Sequence, residues 1–310
     1  MLPLWYHPIY TDGLDPEARF PRDRYRLVRK GLAGSGAAEI DWRQPAPIRA
    51  ELLEAVHDST YINDFLRGTL DERAVRRIGL KPWTPEIVER TLILTNGTVE
   101  ATRWVLANRG FAGNTGGGTH HAYADFGSGY CIFNDLAVAV AVARSEFGLR
   151  RVLILDLDVH QGDGTAAIFE NDPDTKTISL HCGANFPFRK MQSDVDVELE
   201  KGTEDGEYLS VLEQVWAGEV DSFEPELILF QAGVDTLQTD RLGHLSLTCE
   251  GLRQRNEAVF SRANARDIPL VVTMGGGYGE PIETSVAAHV DLFSQAAELN
   301  RTETRNSLSI

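Results

Sequence analysis

The chain has 310 residues, of which 42% are hydrophobic, and this is enough apolar material for one large α/β domain or two small ones. The formal net charge of −16 argues against direct nucleic-acid binding, because contact with phosphate groups needs a clustered basic surface. No apolar run approaches the roughly 20 residues of a membrane span, so neither a nucleic acid nor a membrane is an expected partner.

The cysteine content and the N-terminus predict a cellular location. Three cysteines, Cys131, Cys182 and Cys249, have no paired spacing and indicate no disulfide framework. The first residues do not form a basic segment followed by an apolar core, so they do not predict a signal peptide. We therefore expect a cytoplasmic protein. Its negative charge favours solubility and is also compatible with a cationic substrate.

The first half of the chain is predicted to be mainly helical, with one short strand at its start. Thr84 followed by Pro85 is typical of a helix start, with the threonine as the cap. The arginine-rich stretch Arg73–Leu80 and the Lys-Pro-Trp-Thr-Pro that follows predict an irregular, exposed segment. The predicted elements are a strand at Leu4–Tyr6 and helices at Arg19–Gly31, Ile48–Val56, Tyr61–Leu66, Pro85–Asn108 and Asn134–Phe147.

Strands alternate with helices after residue 150. Such alternation is typical of a central parallel sheet with helices on both faces. No repeat or Pro/Ser-rich linker divides the chain, so we expect one domain over residues 1–310 with a frayed polar tail after about Glu298. The predicted strands are Val152–Leu155, Thr177–Leu180, Leu227–Gln231 and Leu270–Met274, and the predicted helices are Thr165–Glu170, Tyr208–Trp216, Leu252–Ala265 and Ile282–Leu292.

The stretch after the apolar run at 152–155 has the strongest chemical signal. Asp156, Asp158 and His160 follow at i, i+2 and i+4, so an extended chain would point all three side chains the same way. Two carboxylates and an imidazole at the end of a buried strand are typical of a metal site. The alternative is that the aspartates cap the helix near Thr165, but capping does not account for His160 or for the Gly-Asp-Gly at 162–164.

Three further segments, each with one or more glycines, are predicted at other strand ends, and each contains a side chain that can act as a ligand, acid or base. Asp235 ends the segment 231–235, Tyr278 lies within 274–279, and His120 and His121 end the segment 116–121. Sites in open α/β sheets form outside the carboxyl ends of the strands, so these side chains are expected to meet. Neither a GxGxxG nor a Walker pattern is present, so the glycines do not predict a phosphate site.

The metal that these residues suit is zinc. A catalytic zinc is usually held by three protein ligands with one position left open, and Asp158, His160 and Asp235 can supply the three. Zinc lowers the pKa of a bound water to about 7 and polarises a carbonyl group.

The remaining side chains suit proton transfer and charge stabilisation. His120 and His121 can transfer protons, and Asp156 and Asp163 are available to fix their tautomers. Tyr278 can donate its hydroxyl to a developing oxyanion. Together with the metal site, this set predicts metal-assisted hydrolysis of an amide.

Several segments resemble the zinc-dependent histone deacetylase superfamily, in particular its class IV-like branch with many bacterial members. They occur in the family's order from about residue 5 to residue 290. The segments are GGGTHHAYADFGSGYCIFND (116–135), LDLDVHQGDGT (155–165), SLH (179–181), NFPF (185–188), AGVDTL (232–237), LSLT (245–248) and GGGY (275–278), and RRIGLKPWTP (76–85) resembles a loop of the class IV-like branch.

The resemblance implies an arginase/deacetylase fold, one zinc per chain, and removal of acyl groups from lysine side chains of proteins or peptides. It supports Asp158, His160 and Asp235 as the zinc ligands. It also implies that His121 is the general base and acid, and that Tyr278 polarises the substrate carbonyl.

The resemblance further implies a narrow substrate tunnel and a potassium site. Gly129 would accept a hydrogen bond from the substrate amide, with Tyr130 and Phe186 as aromatic walls and Gly276 and Gly277 as further lining. Tyr130 stands where phenylalanine is common in the family, and Asp163 stands where many class IV members have asparagine. The potassium ion would be bound by Asp156, Asp158, His160, Ser179 and Leu180.

Three other functions compete with this prediction. A binuclear manganese ureohydrolase needs a late Asp-x-Asp pair, but Asp235 is followed by Thr236 and Leu237. A catalytically silent acyl-lysine reader would have lost a ligand, the histidine pair or the tyrosine, and all are present. A deacetylase of acetylpolyamines or of another small acylated amine remains as the alternative, since an acidic protein suits a cationic substrate. The oligomeric state does not follow from the sequence.

Overall fold

The computed structural model describes residues 1–35 and 39–306. These residues form one eight-stranded sheet in which all paired strands are parallel, in the order β2-β1-β3-β8-β7-β4-β5-β6. The strands are β1 (Leu2–Trp5), β2 (Ile40–Arg43), β3 (Phe111–Asn114), β4 (Val152–Asp156), β5 (Thr175–Cys182), β6 (Val195–Leu199), β7 (Leu227–Gln231) and β8 (Leu270–Thr273).

Twelve α-helices connect and cover these strands within the described residues. They are α1 (Ile9–Asp12), α2 (Arg24–Ser35), α3 (Ala50–Leu53), α4 (Ser59–Arg67), α5 (Glu72–Ile78), α6 (Ile87–Asn108), α7 (Asp135–Phe147), α8 (Asp163–Phe169), α9 (Asp205–Val215), α10 (Asp221–Phe223), α11 (Cys249–Ala265) and α12 (Ile282–Asn306), with a π-helical turn at Trp216–Val220 before α10. None of the helices in this part of the chain has both the length and the apolar character needed to cross a membrane. The predicted tail after Glu298 begins within α12, and residues 307–310 lie outside the described residues.

The central strands are buried on both faces of the sheet. Every residue of β4 and β7 is buried. Successive side chains of a strand point to opposite faces, and accordingly Leu153 and Leu155 belong to one apolar cluster whereas Val152 and Ile154 belong to another. A parallel sheet with both faces covered is the α/β architecture that the alternation of strands and helices predicted.

The carboxyl ends of five strands lie side by side. Register partners along this edge of the sheet are Asn114, Thr273, Gln231, Asp156 and Ser179, the residues at or near the ends of β3, β8, β7, β4 and β5. The loops that leave these strands therefore start at neighbouring points, and the segments with candidate catalytic residues begin there.

Three strands were not predicted from the sequence: β2, β3 and β6. Glycine and asparagine are depleted in strands, and both occur in the four residues of β3. The glycine fits because a Cβ atom at Gly113 would lie 2.8 Å from Val272 and 2.9 Å from Leu4 on the neighbouring strands. Close packing between strands therefore outweighs the low strand propensity.

The prediction of an irregular segment at Arg73–Leu80 is wrong, because α5 occupies most of it. The Asp71 side chain accepts a hydrogen bond from the Ala74 backbone N–H at 2.7 Å, and Gly79 ends the helix in the left-handed conformation. The predicted cap at Thr84 is also wrong. Its hydroxyl donates to the Gly13 carbonyl at 2.9 Å, and α6 begins only at Ile87.

Candidate active site

A buried cluster of two carboxylates and one imidazole lies at the ends of β4 and β7. One ligand atom from each of Asp158, His160 and Asp235 lies within 4.8 Å of the other two. His160 Nδ1 is 3.0 Å from Asp158 Oδ1 and 3.2 Å from Asp235 Oδ2. The strand ends at Asp156, so a bend rather than strand alternation brings these side chains together, with the His160 backbone N–H donating to Asp158 Oδ1 at 3.0 Å.

The geometry of this cluster fits a bound metal ion. Asp235 Oδ2 is fully buried without a hydrogen-bond donor, whereas Asp235 Oδ1 accepts from the Val159 backbone N–H at 3.0 Å. A Cβ atom at Gly276 would lie 1.9 Å from Asp235 Oδ2, and one at Gly233 would lie 2.3 Å from Asp158 Oδ2. Two glycines therefore leave room for carboxylate oxygens that face the cluster.

The electrostatics of the cluster show an excess of negative charge. Burial and the neighbouring Asp158 raise the pKa of Asp235 to about 7. Burial lowers the pKa of His160, but the adjacent carboxylates of Asp158 and Asp235 outweigh it and raise that pKa to about 10. Two buried carboxylates thus favour a cation between them. Binding of a metal ion to His160 would displace the proton of the imidazole into solution.

The two adjacent histidines of the segment 116–121 lie beside this cluster, and each pairs with its own aspartate. His120 Nδ1 lies 2.6 Å from Asp156 Oδ2, and His121 Nδ1 lies 2.6 Å from Asp163 Oδ1. The centroids of the two imidazole rings are 4.1 Å apart. With Nδ1–H donating to the carboxylate, Nε2 of each ring is left as the reactive nitrogen.

The two histidines differ in their affinity for a proton. Burial lowers the pKa of His120, but the charges of Asp156 and Asp158 outweigh it and raise that pKa to about 9. Burial and the neighbouring His120 lower the pKa of His121 to about 4. At neutral pH the arrangement therefore presents a protonated His120 and a neutral His121, and only the second can accept a proton.

Tyr278 lies across the cluster from the histidines, at the end of the glycine segment after β8. Its ring centroid is 6.4 Å from that of His160 and 5.9 Å from that of Tyr130. Its backbone N–H donates to Asp240 Oδ2 at 2.6 Å, which fixes the loop. Burial raises the pKa of Tyr278 well above its usual value, so the hydroxyl remains a hydrogen-bond donor at neutral pH.

One cavity of about 450 Å³ is lined by Asp158 and His160 of the cluster, by both histidines of the segment 116–121 and by Tyr278. Residues that line it include His120, His121, Asp158, His160, Tyr278, Gly129, Tyr130, Phe186 and Gly276. The ring of Phe186 meets the His121 ring edge-on at 4.9 Å. Such a concave site with a few convergent polar groups is typical of an enzyme active site.

Comparison with known proteins identifies the family of this chain. The histone deacetylase domain profile matches residues 18–293. An uncharacterized protein of Picosynechococcus sp. is 41% identical over 299 residues, which are 96% of this chain and 99% of that protein. Histone deacetylase 2 of Arabidopsis thaliana is 29% identical over 91% of this chain and 75% of its own length. The chain belongs to the histone deacetylase family.

The fold of the family is confirmed by a solved structure. The crystal structure of the HDA15 HD domain matches with a TM-score of 0.80 and 21% sequence identity, over 96% of this chain and 89% of that domain. The arginase/deacetylase fold predicted from the sequence is therefore correct. Membership of the family makes the chain a hydrolase of the deacetylase type.

The residues predicted to line a substrate tunnel have one unusual feature of backbone geometry. Tyr130 has a φ of 68°, in the left-handed region that bulky residues rarely adopt, and Gly129 before it has a φ of 51°. The Tyr130 backbone N–H donates to the Ile78 carbonyl at 2.7 Å, and its ring meets Phe20 edge-on at 5.2 Å. Strain held by surrounding contacts is common where a side chain must be placed for function.

The residues predicted for the tunnel lining and for the potassium site do not all line the cavity. Gly277 does not line the cavity within the described residues; its carbonyl accepts from Arg24 Nη1 at 3.1 Å. Ser179, named for the potassium site, is a register partner of Asp156, and its Oγ lies 3.0 Å from His181 Nδ1. The potassium site stays a prediction.

Asp135 has a larger part in the site than the sequence predicted. The sequence assigned it to the start of a helix. The Asp135 carboxylate is fully buried and accepts from the backbone N–H groups of Gly118 at 3.0 Å and Thr119 at 2.7 Å, and from the Thr119 hydroxyl at 2.6 Å. These bonds fix the turn that places His120 and His121.

A buried arginine on α11 connects the loops that carry Asp158 and Asp235, and no sequence signal identified it. Arg255 is fully buried and donates to the carbonyl groups of Leu157 at 3.0 Å and Gly233 at 2.8 Å. Leu157 precedes Asp158, and Gly233 lies two residues before Asp235. The guanidinium group therefore holds the loop of Asp158 and the loop of Asp235 together.

Proposed function

We propose that this chain is a zinc-dependent deacylase that hydrolyses the amide of acylated lysine side chains in proteins or peptides, with acetyl or longer acyl groups as substrates. The observation that carries the proposal is the buried cluster of Asp158, His160 and Asp235, two of which, Asp158 and His160, line the same cavity as His121 and Tyr278. Three protein ligands of this kind beside a general base and an oxyanion donor form a hydrolytic arrangement.

The proposed roles follow from the contacts. Asp158, His160 and Asp235 would hold one zinc ion, which when bound supplies Lewis-acid chemistry to the substrate carbonyl and to the attacking water. His121, neutral and oriented by Asp163, takes the proton of that water at Nε2 and returns it to the leaving amine. The Tyr278 hydroxyl donates to the carbonyl oxygen as negative charge develops there.

His120 and the tunnel residues hold the substrate and the charges in place. His120, protonated and paired with Asp156, stabilises negative charge next to the reacting carbonyl. The Gly129 carbonyl accepts from the substrate amide N–H, and Tyr130 and Phe186 form the walls that exclude water from the acyl-lysine chain. The extra hydroxyl of Tyr130 makes one wall more polar than a phenylalanine would.

The charges that line the cavity favour acyl-lysine over an acetylpolyamine. Three arginines, Arg24, Arg77 and Arg90, contribute to the lining, and among the described lining residues Asp158 is the single carboxylate. Since Asp158 is a proposed metal ligand, no free carboxylate remains to bind the further amines of a polyamine chain. We also propose a cytoplasmic protein without direct nucleic-acid binding, in line with three free cysteines and a net charge of −16.

A substrate screen with a metal measurement tests the proposal. Purified zinc-loaded protein is assayed on acyl-lysine peptides of varied acyl length and on acetylpolyamines, and elemental analysis should find one zinc per chain. Asp235→Ala should lose most of its metal and its activity. Two zinc ions per chain, or full zinc content in the variant, would contradict the proposed site. Turnover of acetylpolyamines in preference to peptides would contradict the proposed substrate.

A further inference from the structure

An exposed aromatic side chain stands at the mouth of the cavity. Phe188 is 93% exposed and is the most exposed large hydrophobic residue among those described, yet it contributes to the cavity lining. Its ring meets Phe186 edge-on at 6.5 Å, and Phe186 in turn contacts His121. A row of aromatic contacts thus leads from the proposed general base to the protein surface.

The loop that presents Phe188 is held by a lysine that forms no ion pair among the described residues. Lys190 Nζ donates to the carbonyl groups of Gly183 at 3.1 Å, Asn185 at 2.8 Å and Pro187 at 2.7 Å. The Asn185 side chain donates to the Leu242 carbonyl at 2.6 Å, which ties the loop to the other side of the mouth. The backbone next to Phe188 is therefore held in place, and an exposed aromatic with only two side-chain torsions is an effective interface anchor because little entropy is lost on binding.

The charge at the mouth is opposite to that of the whole protein. Arg77 and Arg189 are both exposed, and neither forms an ion pair in the described part of the chain. Arg77 lines the cavity, with its guanidinium 4.3 Å from the Phe126 ring centroid, and Arg189 follows Phe188 directly. In a protein of net charge −16 these two free cations beside an exposed aromatic make a local site for an anionic segment.

We propose that this rim, formed by Arg77, Phe188 and Arg189, binds an acidic polypeptide segment around the acyl-lysine, with an apolar residue on Phe188 and carboxylates next to the arginines. The inference rests on the proposed deacylase function and narrows its substrate class. The preferred substrates are then acyl-lysines in acidic sequences, and lysine-rich basic tails are poor substrates.

The test compares matched acetyl-lysine peptides that differ only in their flanking residues: aspartate and phenylalanine, lysine and phenylalanine, or alanine alone. The measured quantity is kcat/KM for each peptide divided by that for acetyl-lysine amide without flanks. At low salt the acidic peptide should exceed the basic one by about tenfold, and the difference should shrink at 1 M salt, where the Debye length is about 3 Å.

Charge reversal and truncation locate the effect. Arg77→Glu and Arg189→Glu should each abolish the preference for the acidic peptide, whereas Arg150→Glu, the same change at the amino end of β4, should retain it. Phe188→Ala should lower the ratio for the phenylalanine-containing peptides by about tenfold, as truncation of an interface anchor does, whereas Phe147→Ala, a change at an exposed aromatic on α7, should not. Equal turnover of acidic and basic peptides, or the same effect from Arg77→Glu and Arg150→Glu, would overturn the rim proposal.

Direct binding separates this proposal from the deacylase function. Fluorescence polarisation of labelled acidic and basic peptides on the zinc-loaded protein reports the rim whether or not the peptides are hydrolysed. If no acyl-lysine substrate is turned over but the acidic peptide binds in an Arg77-dependent way, the deacylase function fails and the rim stands as a binding surface. If acetyl-lysine amide is hydrolysed but neither turnover nor binding depends on the flanks, the rim proposal alone is refuted.

Discussion

Gly276→Ala should damage the metal site through a steric effect alone. The added Cβ would lie 1.9 Å from Asp235 Oδ2 and 2.8 Å from Asp158 Oδ2. Ordinary carbon contacts begin near 3.5 Å, so one carboxylate has to move by more than about 1 Å. The backbone of Gly276 is not in the left-handed region, in contrast to Gly275 at φ 59°, so no conformational strain adds to the clash.

The magnitude follows from what the carboxylates do. Displacements of about 1 Å in a catalytic arrangement cost about 10²-fold in rate, and changes to groups that orient metal ligands cost about 10- to 100-fold in metal affinity. We therefore expect Gly276→Ala to bind zinc at least about tenfold more weakly and to lose about 10²-fold in kcat/KM at saturating zinc.

The assay is zinc titration against a competing chelator, with kcat/KM measured on an acetyl-lysine substrate and circular dichroism as a test of folding. Gly206→Ala is the matched control, because a Cβ at that exposed helical position of α9 meets nothing within 4 Å. A folded Gly276→Ala protein with parental zinc affinity and parental kcat/KM would refute the argument that this glycine makes room for the ligand carboxylates.

Three further predictions concern the proposed role of Tyr278, inhibitors and pH. Tyr278→Phe should lower kcat by about 10²–10³-fold with little change in KM and with zinc retained, because the proposed oxyanion donor is lost but the ring remains. Near-parental turnover by this variant would contradict the proposed role of the hydroxyl. A hydroxamate with an aliphatic or aromatic tail should inhibit competitively, because its head group would chelate the proposed zinc ion while its tail occupies the proposed tunnel. The absence of inhibition at concentrations that saturate other zinc hydrolases would argue against the tunnel. Burial lowers the pKa of His57 to about 4, and its Nε2 accepts from the Asn134 backbone N–H at 3.0 Å. Because the unfolded chain binds this proton near pH 6.5, the contribution of His57 to stability is complete above that pH and is lost as the pH falls towards 4. Denaturant titrations of a folded His57→Gln variant should therefore show a smaller decrease in the free energy of unfolding between pH 6.5 and pH 4. An identical decrease would contradict the assignment.

Much of the architecture and of the site could be predicted because the signals were local. The apolar run of β4 predicts a strand buried on both faces and the run of β7 predicts a strand, and the structure confirms both. The reactive residues follow strands of one parallel sheet, and the carboxyl ends of such strands meet at one edge. The sequence alone therefore predicts the proximity of Asp158, His160 and Asp235 that the structure shows.

Local signals failed where a neighbouring element decides the structure. The four residues of β3 form a strand because Gly113 packs between Val272 and Leu4, and this packing is absent from the local sequence. The alternation of Asp156, Asp158 and His160 predicts a continued strand, but the strand ends at Asp156, and a bend stabilised by the Asp158 carboxylate brings the proposed ligands together.

The residues that hold the site in place were visible only in the tertiary structure. Arg255 lies in a run of polar and charged residues that predicts a solvated helix face, yet it is fully buried against the carbonyl groups of two strand-end loops. Lys190 is an ordinary charged residue in the sequence, but its ammonium group fixes the loop of Phe188 through three carbonyl groups. A side chain that binds backbone carbonyl groups from distant segments leaves no periodic or compositional pattern, because its partners are defined by the path of the folded chain and not by their residue types.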